Sequence, residues 1–276
     1  MNFLQIVFDV SLCTNKDEEI LMAHLLNYGF DSFEHKEEHL HSYISSSGFS
    51  ISSLETYLSN YLDFNIISIN QLEQKNWNAI WESSFEPVFV NKNCVVRAPF
   101  HDLDIHYKFD IIISPKMAFG TGHHATTLLM IKSLLSLDLT SKSVLDVGAG
   151  TGILSILASK MGAQIIHGID IDENSYVNSQ ENILLNNCNN ISINQTDIAN
   201  FNSPLIYDVV LANINRNILL SELIQYTGRL SENGILMLSG FLESDFFLIN
   251  KKALDLDLKL KLKHEDNNWQ CLVYVK

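Results

Sequence analysis

Basic residues are scarce in this chain: 18 Lys and Arg stand against 32 Asp and Glu among 276 residues, a formal net charge of −14. An extended nucleic-acid footprint needs clustered Lys and Arg, so no direct nucleic-acid binding is expected. The same acidity suits a basic protein partner, because complementary potentials steer encounter, although it also serves solubility alone. Long apolar runs are missing too. None approaches the roughly 20 residues that cross a bilayer, so no membrane association is expected. The stretch MNFLQIVFDV contains no basic residue and lacks the pattern of a secretory signal, and the expected location is cytoplasmic. Cysteines are few and unpaired in spacing (Cys13, Cys94, Cys188 and Cys271), which gives neither a zinc pattern nor a disulfide framework. His35, His39 and His41 cluster, but their segment alternates like a solvated strand; they read as surface residues and no metal site is expected. Low-complexity tracts are absent, and 46% apolar residues indicate a folded protein of one large domain, or a typical domain plus a smaller one.

What is present begins with a short alternating module. Leu4, Ile6, Phe8 and Val10 share one side of a strand. A helix follows, with Asn15 as its expected N-cap, acidic residues in its first turn and Gly29 at its C-terminal cap. Strands near 30–35 and 40–45, a helix over 50–62 and a strand over 64–69 complete a βαββαβ order. That order implies a ferredoxin-like module over residues 1–70, read as a substrate-recognition or docking domain, with a purely structural appendage as the alternative. Residues 71–115 read as a linker: a helix over 71–85 with Trp77 and Trp81 as packing aromatics, then bridging strands around 94–98 and 105–114.

From 116 to 276 the pattern is a regular alternation of strands and helices, which specifies a parallel α/β sheet, doubly wound and Rossmann-like. Its last two strands, near 258–263 and 269–275, read as an antiparallel hairpin across Asp266-Asn267-Asn268.

The chemistry centres on VLDVGAGTG, Val144 to Gly152. An apolar strand ends in glycines at alternate positions, Gly148, Gly150 and Gly152, and a helix begins at once. This is the arrangement of a nucleotide-type cofactor site, where glycine permits positive φ and close approach of a ligand to the backbone. Asp170 ends the next apolar strand, 18 residues after Gly152, placed to accept from both ribose hydroxyls of an adenosine; Asp172 is better read as a helix cap. The spacing is G-x-G-x-G rather than G-x-G-x-x-G, and Asp146 lies two residues before the first glycine. A carboxylate there would repel a pyrophosphate but could bind the amino group of a methionine portion. The cofactor implied is S-adenosylmethionine. Upstream, a second glycine loop carries Phe119, Thr121, Thr126 and Thr127, placed to cover that ligand and donate hydroxyl hydrogen bonds. LANINRNIL, 211–219, closes the fourth strand; Asn213 should face the transferred methyl group and orient a nucleophilic nitrogen, while Asn215 and Arg216 suit a cap of the next helix.

Together, WNAIWESSFEP (77–87), MAFGTGHHATT (117–127), VLDVGAGTGILSI (144–156), GIDID (168–172) and LANI (211–214) resemble the class I methyltransferases that modify ribosomal protein L11, the PrmA family. The resemblance implies a small N-terminal domain that grips the ribosomal protein, a linker, and a catalytic domain that holds S-adenosylmethionine. It also implies trimethylation of the N-terminal α-amine and of particular lysines. Carried over by position, the cofactor contacts include Thr127, Gly148, Asp170 and Asn213; the residues' own pattern adds Asp146, Gly150, Phe119 and Thr121. Asn213 is the one catalytic candidate. His123 and His124 read as structural loop residues, and catalysis is expected to rest on proximity and orientation. The partner expected is ribosomal protein L11 and the expected state is a monomer. The rival readings are an N-methyltransferase acting on another protein or on RNA, an NAD-dependent oxidoreductase, which the glycine spacing and Asp146 disfavour, and a binding module with a degenerate cofactor fold, which the intact glycines, Asp170 and Asn213 speak against.

Overall fold

The structure, a computed structural model, describes residues 3–59, 64–72, 85–104, 106–116 and 118–276. The chain divides into two compact units, Met1–Glu82 and Ser83–Lys276. The helix expected over 71–85, with Trp77 and Trp81, lies largely outside the described residues, as does the end of the helix expected over 50–62.

The first unit runs β1 (Phe3–Asp9), α1 (Asn15–Tyr28), β2 (Ser32–Lys36), β3 (His39–Ser45), α2 (Ile51–Ser59) and β4 (Asn65–Leu72). Its sheet is antiparallel throughout, in the order β2-β3-β1-β4, the ferredoxin-like arrangement the alternation implies. Period-two alternation turns Ile6, Phe8, Leu40 and Ile44 inward, where Leu21 and Leu25 of α1 and Leu54 and Leu58 of α2 bury them. The cap of α1 is Thr14 rather than Asn15: the Thr14 hydroxyl accepts from Asp17 N–H while the Asp17 carboxylate accepts from Thr14 N–H, a reciprocal capping box. Gly29 closes the helix at φ 116°. His35 holds Glu18 at 2.7 Å on the surface.

The second unit opens with a three-stranded sheet in the order β5-β6-β7: β5 (Val88–Asn91), β6 (Cys94–Arg97) and β7 (Phe109–Ile112). β5 has no counterpart in the sequence reading, since only four residues separate Pro87 from the turn at 92–93. Then follow α3 (Ala125–Leu134), β8 (Ser143–Val147), α4 (Ile153–Lys160), β9 (Ile165–Asp170), α5 (Glu173–Leu185), β10 (Ile191–Gln195), β11 (Tyr207–Asn213), α6 (Arg216–Gly228), β12 (Leu230–Leu242), a 3-10 turn, α7 (Phe246–Leu254), β13 (Lys259–Asp266) and β14 (Trp269–Val275).

These strands form a seven-stranded sheet, β10-β9-β8-β11-β12-β14-β13. The strands from β10 to β12 are parallel, and β14 inserts antiparallel between β12 and β13. Helices α3 and α4 cover one face and α6 and α7 the other. Strands covered on both faces are apolar on both, which is why Val209–Ala212 runs without alternation and β8 carries Val144, Leu145 and Val147 on either side. The reversal of strand order between β8 and β11 leaves a crevice at their carboxyl ends, where α/β proteins of this kind hold ligands. Among the described residues, no helix is long and apolar enough to cross a membrane, and no group of three or more His, Cys, Asp or Glu is placed to hold a metal ion.

Candidate functional site

A cavity of about 630 Å³ opens at that crevice. Its floor is the turn after β8. Gly148, Gly150 and Gly152 all sit at positive φ (70°, 54° and 79°), conformations that side chains with a Cβ resist. Gly148 and Ala149 donate their N–H groups to Ile169 O at 2.9 and 3.0 Å, pinning the turn to the end of β9. Gly150 N–H donates to the Asp170 carboxylate at 2.8 Å, and Asp172 N–H donates to its other oxygen at 3.0 Å. A carboxylate offers about four acceptor positions, so Asp170, which lines the cavity, retains capacity toward it.

The second glycine loop lies directly on the first. Thr151 N–H donates to Phe119 O at 2.9 Å and Thr151 Oγ1 donates to Gly120 O at 2.6 Å. The fit is close enough that a Cβ on Gly150 would meet Phe119 O at 2.3 Å. Phe119 thereby joins the cavity wall. Beside it, His124 caps α3 with Nδ1, which accepts from Thr126 N–H, and its ring meets Phe119 and Trp269 edge-on at 5.3 and 4.9 Å. All three rings line the cavity. His123 turns away: its Nε2 bonds Glu86 O at 3.0 Å and its ring packs on Phe85.

Asn213 ends β11 on the same wall. Its Nδ2 donates to Thr127 Oγ1 at 3.5 Å, while its Oδ1 is buried and accepts from no group of the described chain. A buried amide oxygen without a donor is costly unless a ligand supplies one. Asn215 caps α6, accepting from Ile218 N–H; Arg216, expected to share that role, is instead the first residue of the helix and bridges to Asp245 at 2.9 Å. Gly240 of β12 (φ 98°) backs this loop; a Cβ there would meet Ile214 O at 2.2 Å.

The expected residues therefore sort by position. Gly148, Gly150, Asp170, Asn213 and Phe119 meet on one cavity wall. Thr127 is buried behind Asn213, with its neighbour Thr126 on the wall instead, and Thr121 bonds His123 away from the cavity. Asp146 also stands off the wall. It is 1% exposed and its carboxylate accepts from Ser155 N–H and Oγ at 3.1 and 2.7 Å, tying β8 to the first turn of α4. Residues absent from the sequence reading include Thr196, Asp197 and Ile198, just past β10, together with Trp269. The first three were findable, because ligands sit beyond the carboxyl ends of parallel strands and β10 ends at Gln195. Trp269 carried no such signal.

Burial pushes the Asp146 carboxyl up to about 6, against the bonds from Ser155 that favour its charge. A raised carboxyl contributes stability that is fully present below its unfolded value near 4 and lost as pH rises through 6, a fall of roughly 3 kcal/mol in all. Asp146→Asn keeps an acceptor for Ser155 and removes the charge. Its unfolding midpoint should rise relative to the parent between about pH 4 and 7, as followed by thermal unfolding across that range. A difference that does not vary with pH would refute this account.

The profile of the family described as "Ribosomal protein L11 methyltransferase (PrmA)" matches residues 12–276. A ribosomal protein L11 methyltransferase of Bacteroides fragilis is 39% identical over 279 residues, covering 100% of both chains. One from Porphyromonas gingivalis is 41% identical over 258 residues, 92% of this chain and 89% of its own. Among solved structures, the ribosomal protein L11 methylase of Lactobacillus delbrueckii subsp. bulgaricus superimposes with a TM-score of 0.64 at 27% identity, covering 69% of this chain and 98% of that one.

Proposed function

The chain belongs to the ribosomal protein L11 methyltransferase family, and from that premise we propose that it methylates amines of ribosomal protein L11, namely the N-terminal α-amine and lysine side chains. The family's methyl donor is S-adenosylmethionine, whose sulfonium makes its methyl group electrophilic.

The cavity fits that donor. Gly148 and Gly150 present bare backbone over β8, a cradle for the methionine portion. Asp170, at the end of the adjacent strand, would take the ribose hydroxyls with its remaining acceptor capacity. Asp197 and Ile198, one strand further out, would flank the adenine. The opposite direction leads to β11 and Asn213. Asp146 acts from behind, holding the turn to α4, and Thr127 holds the Asn213 amide. Thr121 helps to place His123.

The observation that carries the reading is Asn213 on the wall of that cavity, its buried side-chain oxygen left without a donor from the described chain. It can accept from an amine N–H and leave the nitrogen lone pair aimed at the methyl group. An α-amine, with a pKa of about 7.7–8.0, is partly neutral near pH 7, whereas a lysine near 10.4 must be desolvated to lose its proton. Phe119, His124 and Trp269 supply an apolar, aromatic surround that favours the neutral amine and tolerates a methylated ammonium through cation–π attraction.

Recognition of the protein substrate is assigned to residues 1–70. The sheet face opposite α1 and α2 carries a polar chain across all four strands: Asn70 to Gln5 at 3.2 Å, Gln5 to Tyr43 at 3.1 Å and Tyr43 to Glu34 at 3.0 Å. Of residues 71–115, expected from the sequence to link it to the catalytic part 116–276, the strands from Val88 to Ile112 fold within the second compact unit and share its core.

Incubation with labelled S-adenosylmethionine and total large-subunit proteins, followed by mass spectrometry, should place label on L11 at its α-amine and at lysines. Label confined to another protein or to RNA would overturn the substrate assignment.

A further inference from the structure

Asparagine is a poor helix former, since its short side chain competes for backbone groups. Yet α5 carries Asn178 and Asn182, and Asn186 caps it, four residues apart and therefore on one face. All three are buried, at 1%, 0% and 7% exposure. They face the outer edge of β7, the last strand of the small sheet. Asn186 Oδ1 accepts from Ile112 N–H at 2.9 Å and its Nδ2 donates to Ile112 O at 2.6 Å. Asn182 Oδ1 accepts from Ser114 N–H at 2.8 Å, and Asn178 Nδ2 donates to Ser114 O at 3.3 Å. Side-chain amides thus stand in for a missing neighbouring strand. So far the ladder is architecture.

Asn182 reaches further. Its Nδ2 also donates to Thr151 O at 2.9 Å. Thr151 is the residue of the glycine turn whose N–H and hydroxyl hold Phe119 O and Gly120 O, and it is itself fully buried. The Asn182 amide therefore ties the chain leaving β7 to the turn that delivers Gly150 N–H to Asp170, and through Thr151 it bears indirectly on the loop that places Phe119 on the cavity wall. We propose that Asn182 is a positioning residue for the donor site, fixing the Thr151 peptide so that turn and loop keep a shape fit for S-adenosylmethionine. The proposal rests on reading this cavity as the donor site.

The comparison that isolates this role is Asn182→Leu against Asn186→Leu in the full chain. Each removes a buried amide from the β7 edge, and only the first frees Thr151 O. Calorimetric titration with S-adenosylmethionine should show about tenfold weaker binding for Asn182→Leu, the consequence of an unpaired buried carbonyl under the ligand. Binding by Asn186→Leu should stay within about twofold of the parent although its unfolding midpoint falls. Hydrogen exchange over 148–152 and 118–122 should quicken in the first variant alone. Parental affinity in Asn182→Leu, or equal affinity losses in both variants, would overturn the proposal. If Asn182→Leu does not fold, Asn182→Asp at pH 8 decides: it retains the acceptor for Ser114 and loses the donor to Thr151, so undiminished binding there also overturns it. Failure of the parent protein to bind the donor would instead strike the reading of the cavity.

Discussion

Gly150→Ala should abolish measurable binding of S-adenosylmethionine while leaving the protein folded. Two effects act together. At φ +54° a Cβ costs about 1–2 kcal/mol of backbone strain. The larger effect is steric, because the new methyl would lie 2.3 Å from Phe119 O, a backbone atom that is itself bonded to Thr151 N–H and cannot swing aside as a side chain would. Either the Phe119 loop lifts or the turn does, and in both cases the Gly150 N–H leaves Asp170. The control is Gly162→Ala. Gly162 is also left-handed, at φ 93°, but a Cβ there meets only Thr140, at an ordinary 3.6 Å. It should lose stability by the strain alone and bind the donor normally. Titration calorimetry on both variants checks the prediction, and equal binding by the two would show that the contact with Phe119 O is not decisive.

Asn213→Ala should lower turnover about hundredfold, with donor affinity little changed, because the side chain orients the acceptor amine and a misplacement of about 1 Å costs that much. Asn213→Asp makes the test sharper. A carboxylate would hold an ammonium more tightly and raise the pKa of the bound amine, so the pH–rate profile should move to higher pH while KM for the protein substrate falls. Single-turnover rates across pH, together with donor titration, distinguish this from simple loss of packing. Unchanged turnover in Asn213→Ala would remove Asn213 from the reaction, and a parallel fall in donor affinity would make it a donor contact.

Much of the site is legible without coordinates because the signals are local. The alternating glycines must occupy positive φ wherever the chain goes, and an acid at the tip of the next strand falls beside them in any right-handed βαβ crossover. Asp146 shows the limit. Its place two residues before Gly148 suggests a ligand contact, yet alternation along β8 turns it toward Ser155, because side chains on a strand point to opposite faces whatever lies at its end. Thr127 shows the same limit on a helix: it and Thr126 are adjacent in sequence, but the rotation per residue places only Thr126 on the wall.

What the sequence determined by itself is the alternation of elements, the two-module composition, the glycine turn that brings Gly148 and Gly150 beside Asp170, and the position of Asn213 at the end of a parallel strand. Periodicity, glycine conformation and capping chemistry act over a few residues, so they can be read along the chain. Tertiary structure alone decided that β14 inserts between β12 and β13, which carries Trp269 to a ring contact with His124, 145 positions earlier in the chain. It alone showed that Asn182 spans from Ser114 to Thr151, and that the two glycine loops close on each other through Thr151. These contacts join segments whose sequences place no constraint on one another until the sheet brings them within hydrogen-bonding distance.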